Sequence, residues 1–140
     1  MKYVNESLGC LVYKARYLLK NTLQKKLKDY NISTEQWSVL NMVYMGKGCN
    51  QKCLAEMLFK DRAALTRILD ILENKKLIKK DTSPNDRREF LVYLTDSGLN
   101  LYGEALTVVM QNTKDTDAIF TVSEVEQLKY LLNKLILNLK

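Results

Sequence analysis

A mainly α-helical fold carrying one small β-hairpin is predicted by three observations. The 140 residues contain one Pro and five Gly, so little interrupts long helices. Apolar residues recur at intervals of three and four through most of the chain, which is the helical period. Over residues 77–94 that period gives way to two short alternating runs joined by a polar loop holding Pro84, the pattern of a hairpin. A chain of this length makes one domain, or one domain plus an oligomerisation element.

The first helix is expected from Val4 to about Tyr30, with Leu8, Leu11, Val12, Ala15, Leu18, Leu19, Leu23 and Leu27 on its apolar face. Asn31 tolerates the left-handed conformation and is placed to end it. Ser33-Thr34-Glu35-Gln36 reads as a capping box, Ser33 covering free amides and Gln36 reaching back. The second helix carries Trp37, Val39, Leu40, Val43 and Tyr44 and stops near Gly46-Lys47-Gly48. Asn50 or Cys49 begins a short third helix, with Leu54, Met57 and Leu58 inward. Phe59-Lys60-Asp61 is a turn, and Asp61 caps a fourth helix. Leu65, Ile68, Leu69 and Leu72 form the buried stripe of that helix, leaving Arg62, Ala63, Thr66, Arg67 and Asp70 on the other side.

Leu77-Ile78 opens the first strand. Glu89 to Leu94 forms the second, with Phe90, Val92 and Leu94 on one face and Thr82 to Arg88 as the loop. Thr95 caps a fifth helix through Leu99, Tyr102, Ala105, Leu106, Val109 and Met110, whose far end is not patterned. Ser123, with Glu126 at the box position, is expected to start the last helix. Val125, Leu128, Leu132, Leu135 and Leu139 repeat there at three and four, widened by Leu131 and Ile136. So broad an apolar face on a terminal helix must be covered. The first helix has a similar excess. A homodimer that pairs the first, fifth and last helices with those of a second copy covers both, whereas all three folding back over their own chain is the alternative.

The formal net charge is +6, from 22 Lys+Arg against 16 Asp+Glu. The excess is local: residues 1–46 carry +4, residues 47–90 carry +4, and residues 91–140 carry −2. A basic first helix and middle section point to a polyanionic partner, against the plainer reading of a solvated basic surface. There is no His, which removes the commonest general base and metal ligand together. No Gly-rich phosphate loop or nucleophile–base pair appears either, so an enzyme is not expected. Cys10, Cys49 and Cys53 make an odd count that does not suggest a disulfide framework. Cys49 and Cys53 lie one helical turn apart, but without His or a second Cys pair no metal site is expected, and no cofactor. No apolar run approaches the ~18 residues of a membrane span. The opening MKYVNESLGC lacks the pattern of a secretory signal, so the cytoplasm is the expected location and no membrane partner is foreseen.

Short helix, turn, helix and basic hairpin is the layout of a winged helix-turn-helix, which places one helix in a groove of double-stranded DNA. The residues carrying it resemble the MarR family of bacterial transcription regulators (multiple antibiotic resistance type). The likeness rests on Leu54-Ala55-Glu56, on Thr66 to Glu73, on Asp86-Arg87-Arg88, on Leu94-Thr95-Asp96-Ser97-Gly98 and on Ser33 to Leu40. It spans essentially the whole chain as one domain. About 33–95 is the DNA-binding winged helix, and about 1–30 and 96–140 are dimerisation helices. The resemblance implies a transcriptional regulator, a repressor by expectation. It would act as a homodimer on a near-palindromic operator and be released by a small-molecule or oxidant signal. The rival is a protein-interaction module docking an acidic partner through the basic helix and wing.

On this reading Arg62 and Arg67 reach guanine edges from the fourth helix, Arg67 competing with an ion pair to Asp70. Thr66 meets a base or phosphate, and the Ala63 methyl meets thymine methyls. Asn50, Gln51 and Lys52 at the start of the third helix suit phosphate. The resemblance makes Arg87 the minor-groove arginine of the wing, beside Arg88. Asp86 would brace either by a charge-assisted bond, and Lys79 and Lys80 would flank the wing as phosphate contacts. The chain departs from the family where Asn74-Lys75-Lys76 replaces the usual Gly after the fourth helix, so Asn74 or a strained Lys makes the exit. Family ligands bind between the terminal helices and the head. Tyr13, Arg16, Tyr17 and Trp37 would line such a crevice for a small aromatic carboxylate, unless the rings are core and Arg16 pairs with an acid. Relatives that sense peroxide use a Cys in the first helix. Cys10 lies in that element with Tyr13 one turn on, in poor sensor spacing, and a buried inert thiol is the alternative.

Overall fold

The computed structural model describes residues 6–46 and 48–140. Val4 and Lys47, assigned above to the first helix and to a turn, lie outside the described residues. Helix α1 spans Leu8–Leu27, with Ser7 Oγ accepting from the Cys10 amide at 3.1 Å. The last turn expected to run to Tyr30 tightens into a 3₁₀ turn at Lys28–Tyr30. Asn31 then ends it at φ 54°, donating its N–H to the Lys28 carbonyl. Helix α2 spans Thr34–Gly46 behind a reciprocal box: the Gln36 amide donates to Ser33 Oγ at 3.0 Å and the Ser33 amide to Gln36 Oε1 at 3.2 Å.

Helix α3, Gln51–Leu58, is capped by Asn50 and closed by Phe59 at φ 52°. Leu54 and Ala55 are its buried residues. Met57, expected inward, is 40% exposed. Leu54, Ala55 and Leu58 share one side of this short helix, and Met57 falls on its flank. Helix α4 spans Arg62–Asn74 and buries Leu65, Ile68, Leu69 and Leu72. Each such side chain contributes about 1.5–3 kcal/mol on leaving water. The chain leaves α4 through Lys76 at φ 61°, with the Leu77 amide donating back to the Leu72 carbonyl at 3.0 Å. A strained Lys, not Asn74, therefore supplies the left-handed exit.

Strands β1, Ile78–Thr82, and β2, Phe90–Leu94, pair antiparallel from Ile78 opposite Leu94 to Thr82 opposite Phe90. Leu77, expected to open β1, is buried just before it. Val92 is fully buried, whereas Phe90 is exposed at the hairpin tip, beyond the edge of the core it was expected to share. Helix α5, Asp96–Asp117, starts where Thr95 Oγ1 accepts from the Gly98 amide and donates to the Lys76 carbonyl. Tyr102 of α5 stacks between Trp37 (centroids 5.0 Å apart) and Tyr44 (4.3 Å), and its hydroxyl donates to Asn41.

The chain divides into two compact units, one through Leu106 and the other Thr107–Lys140. In the second, Ala118–Phe120 turns the chain into helix α6, Val122–Leu139. The cap is Thr121 rather than Ser123. Thr121 Oγ1 accepts from the Glu124 amide at 3.1 Å and Glu124 Oε1 from the Thr121 amide at 2.9 Å. Both Thr121-x-x-Glu124 and Ser123-x-x-Glu126 fit the box pattern. The turn closed by the Ile119 and Phe120 amides delivers extended backbone at Thr121, so the earlier site is used. Within the single chain Leu128, Leu131, Leu132 and Ile136 of α6 stay exposed, as do Leu8, Leu11, Val12 and Leu18 of α1.

Candidate nucleic-acid interface

The outward face of α4 is built by its cap and its buried stripe. Asp61 Oδ1 accepts from the Ala64 amide at 2.7 Å, which fixes where the helix begins. The four buried residues then turn Arg62, Ala63, Thr66, Arg67 and Asp70 to solvent. The Arg62 and Arg67 side chains make no hydrogen bond or ion pair among the described residues, so both guanidinium forks are available. Thr66 Oγ1 donates to the Arg62 carbonyl at 2.7 Å, which leaves its oxygen as an acceptor only. Asp70 does not hold Arg67. It accepts from Lys80 at 3.3 Å.

That contact redirects Lys80. Its ammonium also lies 3.9 Å from Glu73 and its side chain is only 19% exposed. It braces β1 against α4 instead of standing free for phosphate, whereas Lys79 is exposed. The wing brace differs from expectation as well. Asp86 Oδ1 accepts from the Arg88 backbone amide at 2.9 Å, and the Asp86 carbonyl accepts from Glu89 at 3.1 Å. An Asx-type turn is thus what Asp86 holds, because its short side chain meets the amide two residues on before it can reach a guanidinium. Both arginine side chains remain exposed.

Asn50 is committed to structure at both ends. Its Oδ1 accepts from the Cys53 amide at 2.7 Å, and its Nδ2 donates to Glu89 in the wing. The Val92 amide donates to the Cys49 carbonyl at 3.0 Å alongside. Asn50 therefore spends its side-chain oxygen and one N–H on tying the start of α3 to the hairpin, whereas the side chains of Gln51 and Lys52 make no hydrogen bond among the described residues. Glu89 had no signal in the sequence. Between these elements runs a cleft of about 310 Å³, floored by Leu65 and rimmed by Lys52, Arg62, Thr66 and Arg88. Asp86 and Glu89 also line it, and the cations stand beside two helix starts whose amides not taken by Asn50 and Asp61 suit an anion.

The sequence match over residues 32–90 is to the MarR family. The multiple antibiotic resistance protein MarR of Escherichia coli is 30% identical over 130 residues, covering 92% of this chain and 90% of the relative. This chain belongs to the MarR family. The homoprotocatechuate degradative operon repressor of Escherichia coli is 26% identical over 95% of the chain and 90% of its own length. Among solved structures, a cysteine-to-serine mutant of E. coli MarR complexed with operator DNA matches at TM-score 0.87 with 29% identity, covering 91% and 92% of the two chains. The repressor CouR bound to a 23-mer DNA duplex matches at 0.88 with 25% identity, covering 95% and 94%. A MarR-family winged helix-turn-helix makes this chain a DNA-binding transcriptional regulator, and members of the family are regulators and not enzymes. No helix among the described residues is long and apolar enough to cross a membrane.

This MarR-family chain does not assemble the anticipated aromatic crevice within one copy. Trp37 is 5% exposed and stacked in the core, whereas Tyr13 is 69% exposed and pairs with Tyr17 at 6.4 Å along the outside of α1. Arg16 is exposed on the same helix and has no acidic partner among the described residues. Within the single chain Cys10, on α1, is exposed. Its Sγ donates toward Glu6 at 3.7 Å, not toward a tyrosine. Lys14 hydrogen-bonds Glu6 at 2.8 Å, which lowers the carboxyl pKa and raises that of the ammonium.

Proposed function

We propose that this chain is a repressor that binds a near-palindromic operator as a homodimer and is released by a small-molecule or oxidant signal. The observation that carries the DNA reading is the pair of free forks on α4, Arg62 and Arg67, standing beside an exposed wing arginine. In this reading α4 enters the major groove. Arg62 and Arg67 address guanine edges, with Thr66 as an acceptor and the Ala63 methyl against thymine. Gln51, Lys52 and Lys79 meet phosphate, and Arg87, with Arg88 beside it, enters the adjacent minor groove. The repressor assignment is supported by the name of the homoprotocatechuate relative.

The dimer reading is supported by the apolar faces of α1 and α6 left exposed in the single chain. End helices 1–30 and 96–140 would join the copies and residues 33–95 would form each head. A second copy is the economical cover, since two-fold dimers are the commonest closed oligomer. An aromatic acid could then meet Tyr13, Arg16 and Tyr17 only where a second copy closes over α1, with Trp37 outside that site.

The test is a fluorescence titration of operator duplex with parent and Arg87→Ala protein. The variant is expected to bind weakly while sedimenting as the parent does. Equal affinity would remove the wing from the interface. Arg62→Ala is expected to relax base preference at one position by about 1–3 kcal/mol.

A further inference from the structure

Two thiols lie beside the reading head without a part in it. Cys49 sits just before the Asn50 cap and Cys53 in the first turn of α3, and Cys49 donates to Cys53 with the sulfurs 3.6 Å apart. The arrangement is held from several sides. The Cys53 amide is fixed by Asn50 at 2.7 Å, and the Cys49 carbonyl by Val92 at 3.0 Å. Cys49 Sγ rests against Gly46, where an added Cβ would lie 2.4 Å from the sulfur. Both side chains are half-buried, so solutes reach them.

We propose that Cys49 and Cys53 form a dithiol clamp that binds a monosubstituted trivalent arsenical, one per chain. Two sulfurs are soft donors, and the described residues offer no group of three or more His, Cys, Asp or Glu side chains for a metal ion. Zinc, which takes four ligands, is therefore poorly served. Geometry chooses among thiophiles that need only two. One atom bonded to both sulfurs at about 2.3 Å across 3.6 Å subtends an angle of about 100°. A pyramidal centre with a lone pair bonds at such angles, whereas a linear two-coordinate ion needs the sulfurs about 4.6 Å apart, twice that bond length. The arsenical carries two hydroxyls. Each leaves as water with one thiol proton, so two As–O bonds break, two As–S bonds form, and arsenic stays trivalent. No thiolate is required beforehand, which suits Cys49, whose pKa is raised by burial and by the Cys53 thiol beside it.

The experiment treats the full chain carrying Cys10→Ser with phenylarsine oxide. Intact-mass measurement is expected to find one phenylarsenic group per chain, with both remaining thiols lost to titration. Cys49→Ser or Cys53→Ser should weaken retention by about 100-fold, the loss expected when a second attachment is removed. In the Cys10→Ser chain itself, excess monothiol should leave the adduct in place and a dithiol competitor should strip it, a readout that holds even if a serine variant fails to fold. No uptake in the Cys10→Ser chain, retention unchanged in both serine variants, or release by monothiol alone would overturn the clamp. None of these outcomes depends on DNA binding.

Discussion

Replacing Gly98 by Ala should destabilise the head even though alanine is the better helix former. A Cβ at Gly98, in the first turn of α5, would stand 2.0 Å from the Leu77 carbonyl oxygen, where ordinary contact begins at 3.4 Å. The backbone must therefore part by about 1.4 Å. Leu77 is poorly placed to yield: its oxygen accepts from Thr95 at 3.1 Å and its amide donates to Leu72 at 3.0 Å. Thr95 Oγ1 also holds the Lys76 carbonyl at 2.6 Å. Overpacking costs about 1–3 kcal/mol, and one or two of these bonds about 0.5–1.5 kcal/mol each. The helix preference of Ala over Gly returns about 1 kcal/mol, so the net loss is about 2–3 kcal/mol. Gly103 of the same helix has nothing within 4 Å, so Gly103→Ala should gain up to about 1 kcal/mol. Urea unfolding at fixed protomer concentration reads both. With a slope of about 2 kcal/mol per molar, the midpoint should fall by about 1 M for Gly98→Ala and rise for Gly103→Ala. A Gly98→Ala midpoint at or above the parent's would refute the close approach of α5 to Leu77.

Four further outcomes are expected. Lys52→Ala and Lys79→Ala should each lower the salt dependence of DNA binding by about 0.9 in log–log slope. Lys80→Ala should leave that slope unchanged and cost under about 1 kcal/mol of stability, its acidic partners being half exposed. Lys76→Gly should raise the thermal midpoint slightly, because relief of left-handed strain of about 1–2 kcal/mol outweighs glycine's extra chain entropy of about 0.5–1 kcal/mol; a lower midpoint would contradict the exit geometry. Thr121→Ala should cost about 0.5–2 kcal/mol in urea unfolding, with Ser123→Ala nearly silent, and the reverse order would return the cap to Ser123.

What the sequence made legible follows from period and local chemistry. The α4 stripe repeats over four helical positions, and the caps at Ser33, Asn50, Asp61 and Thr95 are set by side chains reaching amides three residues on. The misplaced details depend on contacts distant in sequence. Asn50 meets Glu89 across 39 residues, and Lys80 meets Asp70 only because the hairpin folds back on α4. Trp37 reads as core or as a pocket wall from sequence, and Tyr102 stacking on it from α5 places it in the core. Thr121 and Ser123 offer the same box two residues apart, and only the turn before them chooses. The free forks on α4 were legible because the same period that buries Leu65 and Leu69 exposes Arg62 and Arg67.

Two heads on one duplex, ~34–36 Å apart, can be tested in one measurement: sedimentation of the parent chain with a labelled palindromic duplex and with a scrambled duplex of equal length and salt. The prediction is two chains per palindrome, bound about 10³-fold or more tightly than to the scrambled partner. A lone chain on the duplex, holding both sequences equally, would contradict it.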